Sequence, residues 1–145
     1  MTANETGAKI LGYAGLIPFV VFAVGSWVSL PYVEDATAVL LSYAAVILSF
    51  MGAIHWGMAM ANNDAHGAKY FLTSVIPALL AWLALLLSQP LALVLLLFGF
   101  VGLLVYDSRV EKSQHFPAWY IPMRARLTFV VALCLAVSLA AVTRA

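Results

Sequence analysis

The chain has 145 residues, of which 65% are hydrophobic and 9% are charged, and its mean hydropathy is +1.03. This apolar content lies far above the roughly 45–50% of an ordinary soluble domain. It excludes a soluble globular protein and predicts an integral membrane protein. The net charge of +1 argues against a nucleic-acid partner.

Stretches without Lys, Arg, Asp or Glu predict where the chain crosses the membrane, and they cover residues 10–33, 36–63, 70–106 and 127–143. About 20 apolar residues in a helix cross a hydrocarbon core of about 30 Å, so the third stretch is long enough to cross twice. Ser88-Gln89-Pro90 supplies the turn between the two crossings. The sequence therefore predicts an all-α helical bundle in one domain, 1–145, with five transmembrane helices near 10–31, 36–60, 70–88, 90–106 and 122–143.

Basic residues are distributed unequally between the two predicted sides of the membrane. The side of the N-terminus would carry Lys9, Lys69, Arg109, Lys112, Arg124 and Arg126, and the other side only Arg144. Cytoplasmic loops are enriched in Lys and Arg, so the pattern predicts a cytoplasmic N-terminus and an external C-terminus. At the start of the last span, Arg124 and Arg126 are expected to extend to the membrane interface.

Small residues predict where the helices pack closely, because helices in lipid associate where their backbones can approach each other. In the second predicted span, small and weakly polar side chains recur at spacings of three and four. The predicted helix-packing residues are Gly12, Gly15, Ser49, Gly52, Gly99 and Gly102.

His55 is the most conspicuous polar residue within a predicted span, and it suggests a functional site. It lies in SFMGAIHWGMAM, and Asp107 closes a helix that runs in the same direction, so the two side chains are expected at similar depth. A carboxylate that accepts a hydrogen bond from an imidazole fixes its tautomer, which makes the two residues a plausible pair. Trp56 and Tyr106 would flank a bound apolar ring there. Arg109, Arg124 and Arg126 compete for Asp107, and the sequence leaves that competition open.

The segment 107–126 combines both signs of charge with Pro117-Ala118-Trp119-Tyr120. Its composition favours a segment that lies on the membrane surface, with Trp119 and Tyr120 in the headgroup layer. The alternative is that it docks a partner subunit or caps a cavity.

Motifs for metal or phosphate chemistry are missing from the sequence. The spacing of His55, His66 and His115 matches no metal motif. A haem held by two intramembrane histidines lacks its second histidine, although Met51, Met58 or Met60 could serve as an axial ligand.

Several segments resemble one known family of membrane proteins. They are LGYAGLIPF at 11–19, LLSYAAVILSFMGAIHWGMAM at 40–60, PALLAW at 77–82, Tyr106-Asp107 and PAWY at 117–120. The chain is similar to the small bacterial inner-membrane proteins with a domain of unknown function that also include mitochondrial transmembrane protein 69. The resemblance implies a multi-span protein of an energy-coupling membrane, here the bacterial inner membrane, and supplies no catalytic residues.

These observations leave three functional hypotheses open. The first is a non-enzymatic subunit, scaffold or assembly module that associates with another membrane subunit or with itself. The second is a binder of a hydrophobic cofactor, a quinone or a haem, at a pocket formed by His55, Trp56, Tyr106 and Asp107. The third is a proton or small-solute transporter that acts as an oligomer through His55 and Asp107.

Overall fold

The computed structural model describes residues 3–30, 34–62, 67–114 and 116–144, and nearly all of them are α-helical. The six helices are α1 Ala3–Ala14, α2 Leu16–Gly25, α3 Ala36–Asn62, α4 Gly67–Ala84, α5 Gln89–Gln114 and α6 Tyr120–Arg144. The predicted all-α fold is therefore confirmed.

Four helical segments are long and apolar enough to cross a membrane: Asn4–Gly25, which runs through α1 and α2, and Ala36–Ala61, Gln89–Val110 and Tyr120–Arg144. The fifth predicted crossing corresponds to α4, whose apolar part, Ala68–Ala84, is shorter than the other four segments. It also falls short of the about 20 residues that a perpendicular crossing needs. The described residues thus contain four candidate spans and one shorter apolar helix, and the side on which each terminus lies stays a prediction.

The turn between α4 and α5 covers residues 85–88, so it begins before the predicted Ser88-Gln89-Pro90 turn, and Gln89 and Pro90 already belong to α5. From Leu85 to Leu87 the backbone N–H groups donate to carbonyls three residues back, at 3.1 Å each. Such bonds tighten a last helical turn and close the helix at Ala84. Pro90 then lies in the first turn of α5, where its missing N–H removes no helical bond.

The first predicted span is broken into α1 and α2 at Gly15. The Tyr43 hydroxyl donates to the Gly15 carbonyl oxygen at 2.9 Å, so α3 holds the chain at the break. Pro18 follows within the first turn of α2, where its lack of an N–H is tolerated.

The bundle is centred on α3, which packs against α2, α4 and α5, while α6 packs against α5 and α2. Alanine and leucine dominate the core, which lets the helices approach closely. A Cβ on Gly52 would lie 2.8 Å from Pro77 Cγ, and one on Gly99 would lie 2.7 Å from Leu48 Cδ2. Gly52 and Gly99 therefore occupy the tightest points between helices α3, α4 and α5.

The remaining predicted packing residues differ from these two. A Cβ on Gly12 would lie 3.3 Å from Leu127 of α6, and one on Gly15 would lie 3.7 Å from the Tyr43 hydroxyl. Ser49 is half-buried and donates to the Ala45 carbonyl of its own helix. The expectation for Gly102 is wrong, because a Cβ there would meet no atom within 4 Å.

Candidate functional site

A cluster of three ionisable side chains lies inside the bundle: His55 from α3, Asp107 from α5 and Arg124 from α6. His55 Nε2 is 2.7 Å from Asp107 Oδ1, and Arg124 Nε donates to Asp107 Oδ2 at 3.2 Å. The three residues are 1%, 0% and 2% exposed. The predicted approach of His55 and Asp107 is thus present, and Arg124 settles the competition among the arginines, since Arg109 and Arg126 are exposed.

Each carboxylate oxygen of Asp107 contacts a different partner, so Arg124 forms a hydrogen bond to only one of them. A bidentate arginine would engage both carboxylate oxygens of its partner. Here the guanidinium contributes its Nε–H to one oxygen, and Nη2 is buried without a hydrogen-bond partner among the described residues. The negative charge of Asp107 balances the positive charge of Arg124, and the buried Nη2 remains available for a further partner.

Aromatic rings enclose the imidazole of His55. The Tyr106 ring centroid is 5.1 Å and the Phe116 centroid 6.0 Å from the imidazole centroid, both edge-to-face. The Tyr106 hydroxyl donates to Thr73 Oγ1 of α4 at 3.2 Å, which ties α5 to α4 beside the cluster. Tyr106 therefore lies beside His55, as the sequence predicts.

Trp56 does not belong to this site. It is 46% exposed, and its ring contacts Phe71 of α4 edge-to-face, with the centroids 4.6 Å apart. Neighbouring residues on a helix point about 100° apart, so the inward direction of His55 turns Trp56 toward the surface. The proposed flanking role of Trp56 is wrong.

A cavity of about 340 Å³ lies on the other side of Arg124, between α1, α2, α3 and α6. Neither His55 nor Asp107 lines it. Its walls are almost entirely apolar, and they are formed by Ala8, Leu11, Gly12, Gly15, Leu16, Phe19, Ile47, Phe50, Met51, Ile54, Phe100, Trp119, Tyr120, Met123, Arg124, Leu127, Thr128 and Val131.

Three polar side chains on one face of α6 line this cavity: Tyr120, Arg124 and Thr128. They are 8%, 2% and 2% exposed. The Tyr120 hydroxyl, Arg124 Nη2 and Thr128 Oγ1 make no hydrogen bond of good geometry to the described residues, although Arg124 lies close enough to the Tyr120 hydroxyl to interact with it. Buried polar groups are usually hydrogen-bonded, so three such atoms at one cavity point to a ligand or water.

The positions of these residues correct one expectation for the surface segment. Residues 107–114 continue α5 as a helix instead of forming a loop on the membrane. Tyr120 is buried and stacks on Phe116 with centroids 4.6 Å apart, so its ring packs within the protein. Arg124 is likewise buried by its pairing with Asp107. Trp119 is half-buried at the cavity and Arg126 is exposed, and the depth of these side chains in the membrane stays a prediction.

Sequence reasoning missed Thr128 and the cavity itself. The available signal was the spacing of Tyr120, Arg124 and Thr128, four residues apart, which places all three on one helix face. A face that carries polar side chains in an apolar helix turns toward protein and away from lipid.

The described residues offer no group of three or more His, Cys, Asp and Glu side chains that could hold a metal ion. His66 and His115 lie outside the described residues. A haem iron would require a free nitrogen on His55, and Nε2 of its ring already contacts Asp107. The donor set around His55 therefore does not fit a haem bound through that nitrogen.

The chain matches known proteins along most of its length. A family model described as "Protein of unknown function (DUF3429)" matches residues 4–140. Transmembrane protein 69 of Xenopus tropicalis is 38% identical over 136 residues, which cover 91% of this chain and 53% of that protein. Transmembrane protein 69 of Mus musculus is 28% identical over 136 residues, with 91% and 55% covered. The chain thus spans about half the length of these curated relatives, and no solved structure matches it significantly.

Proposed function

This chain belongs to the membrane-protein family described as proteins of unknown function (DUF3429), and we propose that it binds an amphipathic small molecule from the membrane. The binding site is the cavity between α1, α2, α3 and α6. The observation that carries the proposal is the coincidence of an apolar cavity with the unpartnered polar atoms of Tyr120, Arg124 and Thr128.

The size and lining of the cavity support a small-molecule site. Ligand pockets typically enclose about 300–1,000 Å³ and combine apolar walls with a few placed polar groups. The cavity of about 340 Å³ lies at the lower end of that range. It suits part of a lipid-like molecule, with the apolar body against residues such as Leu16 and Phe19.

In this proposal His55 and Asp107 are positioning residues that do not touch the ligand. Asp107 holds the guanidinium of Arg124 through Nε, and His55 holds the second oxygen of Asp107. Preorganised side chains reduce the entropy lost when a ligand binds. The hydrophobic-cofactor hypothesis is thereby retained, with its site moved from His55 to the opposite side of Arg124.

We further propose that α4 is a fifth crossing, which places the termini on opposite sides, with the N-terminus in the cytoplasm of a bacterial inner membrane. A short helix is accommodated when the bilayer thins locally. Single-cysteine labelling from each side tests this topology in a variant without Cys134. If the ends of α4 are labelled from the same side, the helix does not cross.

The subunit or scaffold hypothesis and the transporter hypothesis stay predictions. Co-purification of a second polypeptide in stoichiometric amount would support the first. Solute or proton uptake by liposomes that contain only this protein would support the transporter hypothesis.

Ligand retention tests the binding proposal directly. Native mass spectrometry and organic extraction of the protein from mild detergent should show one non-phospholipid molecule per chain. Ala8→Phe projects a ring into the cavity and should remove the molecule, whereas Ala53→Phe, on an exposed position of α3, should retain it. A wild type that carries only bulk phospholipid, in the same proportion as both variants, contradicts the proposal.

A further inference from the structure

We infer that the polar end of the bound molecule is an uncharged group that carries carbonyl oxygen, recognised by Arg124 together with Tyr120 and Thr128. This inference rests on the proposed function and specifies its ligand class. It follows from which hydrogen-bonding atoms are unused at the cavity and from the charges that lie around them.

The unused atoms favour an acceptor on the ligand. Arg124 Nη2 can only donate, and the hydroxyls of Tyr120 and Thr128 can both donate and accept. Among these three side chains, only Arg124 must meet a hydrogen-bond acceptor. It lies about one helical turn from Tyr120 and from Thr128. A ligand oxygen therefore satisfies Nη2, and one neighbouring hydroxyl can donate to the same group.

The charges around Arg124 favour a neutral acceptor over an anion. Asp107 already balances the guanidinium, and both side chains are nearly inaccessible, at 1% and 3% exposure. A carboxylate or phosphate in the cavity would add an uncompensated negative charge in an apolar environment, which is costly. The carbonyl of an ester, ketone or quinone accepts the same hydrogen bond without adding charge.

His55 is the group that would reverse this preference. A protonated imidazole would leave the cluster with one excess positive charge, and an anion would then restore neutrality. The choice between a neutral and an anionic ligand thus also reports the charge of the cluster.

Fluorescence of Trp119 provides a direct readout, because this side chain lines the cavity. A variant with Trp27→Phe, Trp56→Phe and Trp82→Phe keeps Trp119 as its single tryptophan, which is excited selectively at about 295 nm or longer wavelengths apart from the tyrosines. The matched control variant carries Trp27→Phe, Trp56→Phe and Trp119→Phe, so that Trp82 is its single tryptophan. Trp82 is 61% exposed and lies outside the cavity lining, so it measures partition into the bulk lipid.

The probes share one apolar body and differ in their polar end. They are brominated stearate methyl ester, brominated stearate at a pH at which it is ionised, and the corresponding brominated alkane, each titrated into nanodiscs. A long-chain benzoquinone, which also quenches tryptophan, separates quinone carbonyls from ester carbonyls. We expect carbonyl probes to quench Trp119 at concentrations at least tenfold lower than the alkane or the carboxylate, relative to Trp82.

A second variant keeps the test valid if Arg124 substitutions fail to fold. Tyr120→Phe with Thr128→Val removes two hydroxyls that make no hydrogen bond of good geometry to the described residues, so the fold should persist. The double variant should bind the better carbonyl probe roughly tenfold more weakly and the alkane unchanged.

Each outcome decides between the two proposals. Equal binding of ester, carboxylate and alkane overturns the inference and leaves the cavity as an apolar binding site. Tighter binding of the carboxylate overturns it in favour of a positively charged cluster. If no probe quenches Trp119 more than Trp82, both the inference and the proposed function fail.

Discussion

Replacing Asp107 with asparagine should strongly destabilise the protein, because it removes the charge that balances Arg124. The change keeps the size of the side chain and removes one negative charge. Arg124 Nε lies 3.2 Å from the carboxylate, and the two side chains are 3% and 1% exposed, so solvent screens the pair little. The perturbation therefore isolates the electrostatic contribution of the pair.

The expected loss follows from two independent arguments. Unit charges about 4 Å apart interact by about 4 kcal/mol at an effective dielectric constant of about 20. Removing one partner of a buried ion pair typically costs about 3–5 kcal/mol, since the other charge is left uncompensated. We therefore expect Asp107→Asn to lower the free energy of unfolding by about 3–5 kcal/mol.

Reversible unfolding in mixed micelles, followed by circular dichroism, measures this loss. The matched control is Asp35→Asn: Asp35 is exposed and accepts hydrogen bonds from the Ala38 N–H at 2.9 Å and from Gln89 Nε2 at 2.5 Å. Asparagine caps helices about as well as aspartate, and an exposed hydrogen bond contributes little, so the control should lose no more than about 1 kcal/mol. If Asp107→Asn unfolds like this control, the electrostatic account of the cluster is refuted.

A double variant separates the cost of the uncompensated charge on Arg124 from the cost of lost packing. Adding Arg124→Met to Asp107→Asn removes the uncompensated guanidinium while filling a similar volume. Replacing both partners of a buried pair is often close to neutral, so the double variant should recover most of the loss. Two losses that simply add would mean that Asp107 and Arg124 do not interact energetically.

Two further predictions concern helix packing. Gly52→Ala should destabilise the protein by about 1–3 kcal/mol, because the added Cβ would lie 2.8 Å from Pro77 Cγ. The control in the same unfolding assay is Gly57→Ala on the same helix. Its added Cβ would meet no atom within 4 Å, so this variant should be neutral or slightly stabilising. Tyr43→Phe should cost about 0.5–1.5 kcal/mol and speed amide exchange in α1, because it removes the hydrogen bond to the Gly15 carbonyl; exchange unchanged throughout α1 would contradict this role.

Much of the helical architecture can be predicted from the sequence, because the apolar stretches have membrane length. What fails is detail at helix ends. At the break, the Gly15 carbonyl accepts a hydrogen bond from Tyr43, a contact that cannot be read from the local sequence. α5 continues to Gln114, beyond the apolar residues, because its charged end contains good helix formers and no proline.

The pairing of His55 with Asp107 can also be predicted, since both are polar residues expected at one depth. The role of Arg124 cannot, because an arginine near the end of a span fits an interfacial position equally well. Only the rotation of α6 decides, and that rotation brings Arg124 to Asp107 while Arg126 faces outward. The same rotation buries Tyr120 and creates one wall of the cavity, which no local pattern defines.

The three members of the charged cluster come from helices that the ribosome produces at different times. His55 and Asp107 are separated by 52 residues, and Arg124 follows Asp107 by 17. During insertion Asp107 therefore enters the membrane before α6, which carries its guanidinium partner, has packed against α5. Insertion of α5 becomes fully favourable only after α6 has entered beside it, so the late stages of topogenesis are cooperative. A chain in which α6 has not yet packed against α5 carries an unbalanced carboxylate within the bundle.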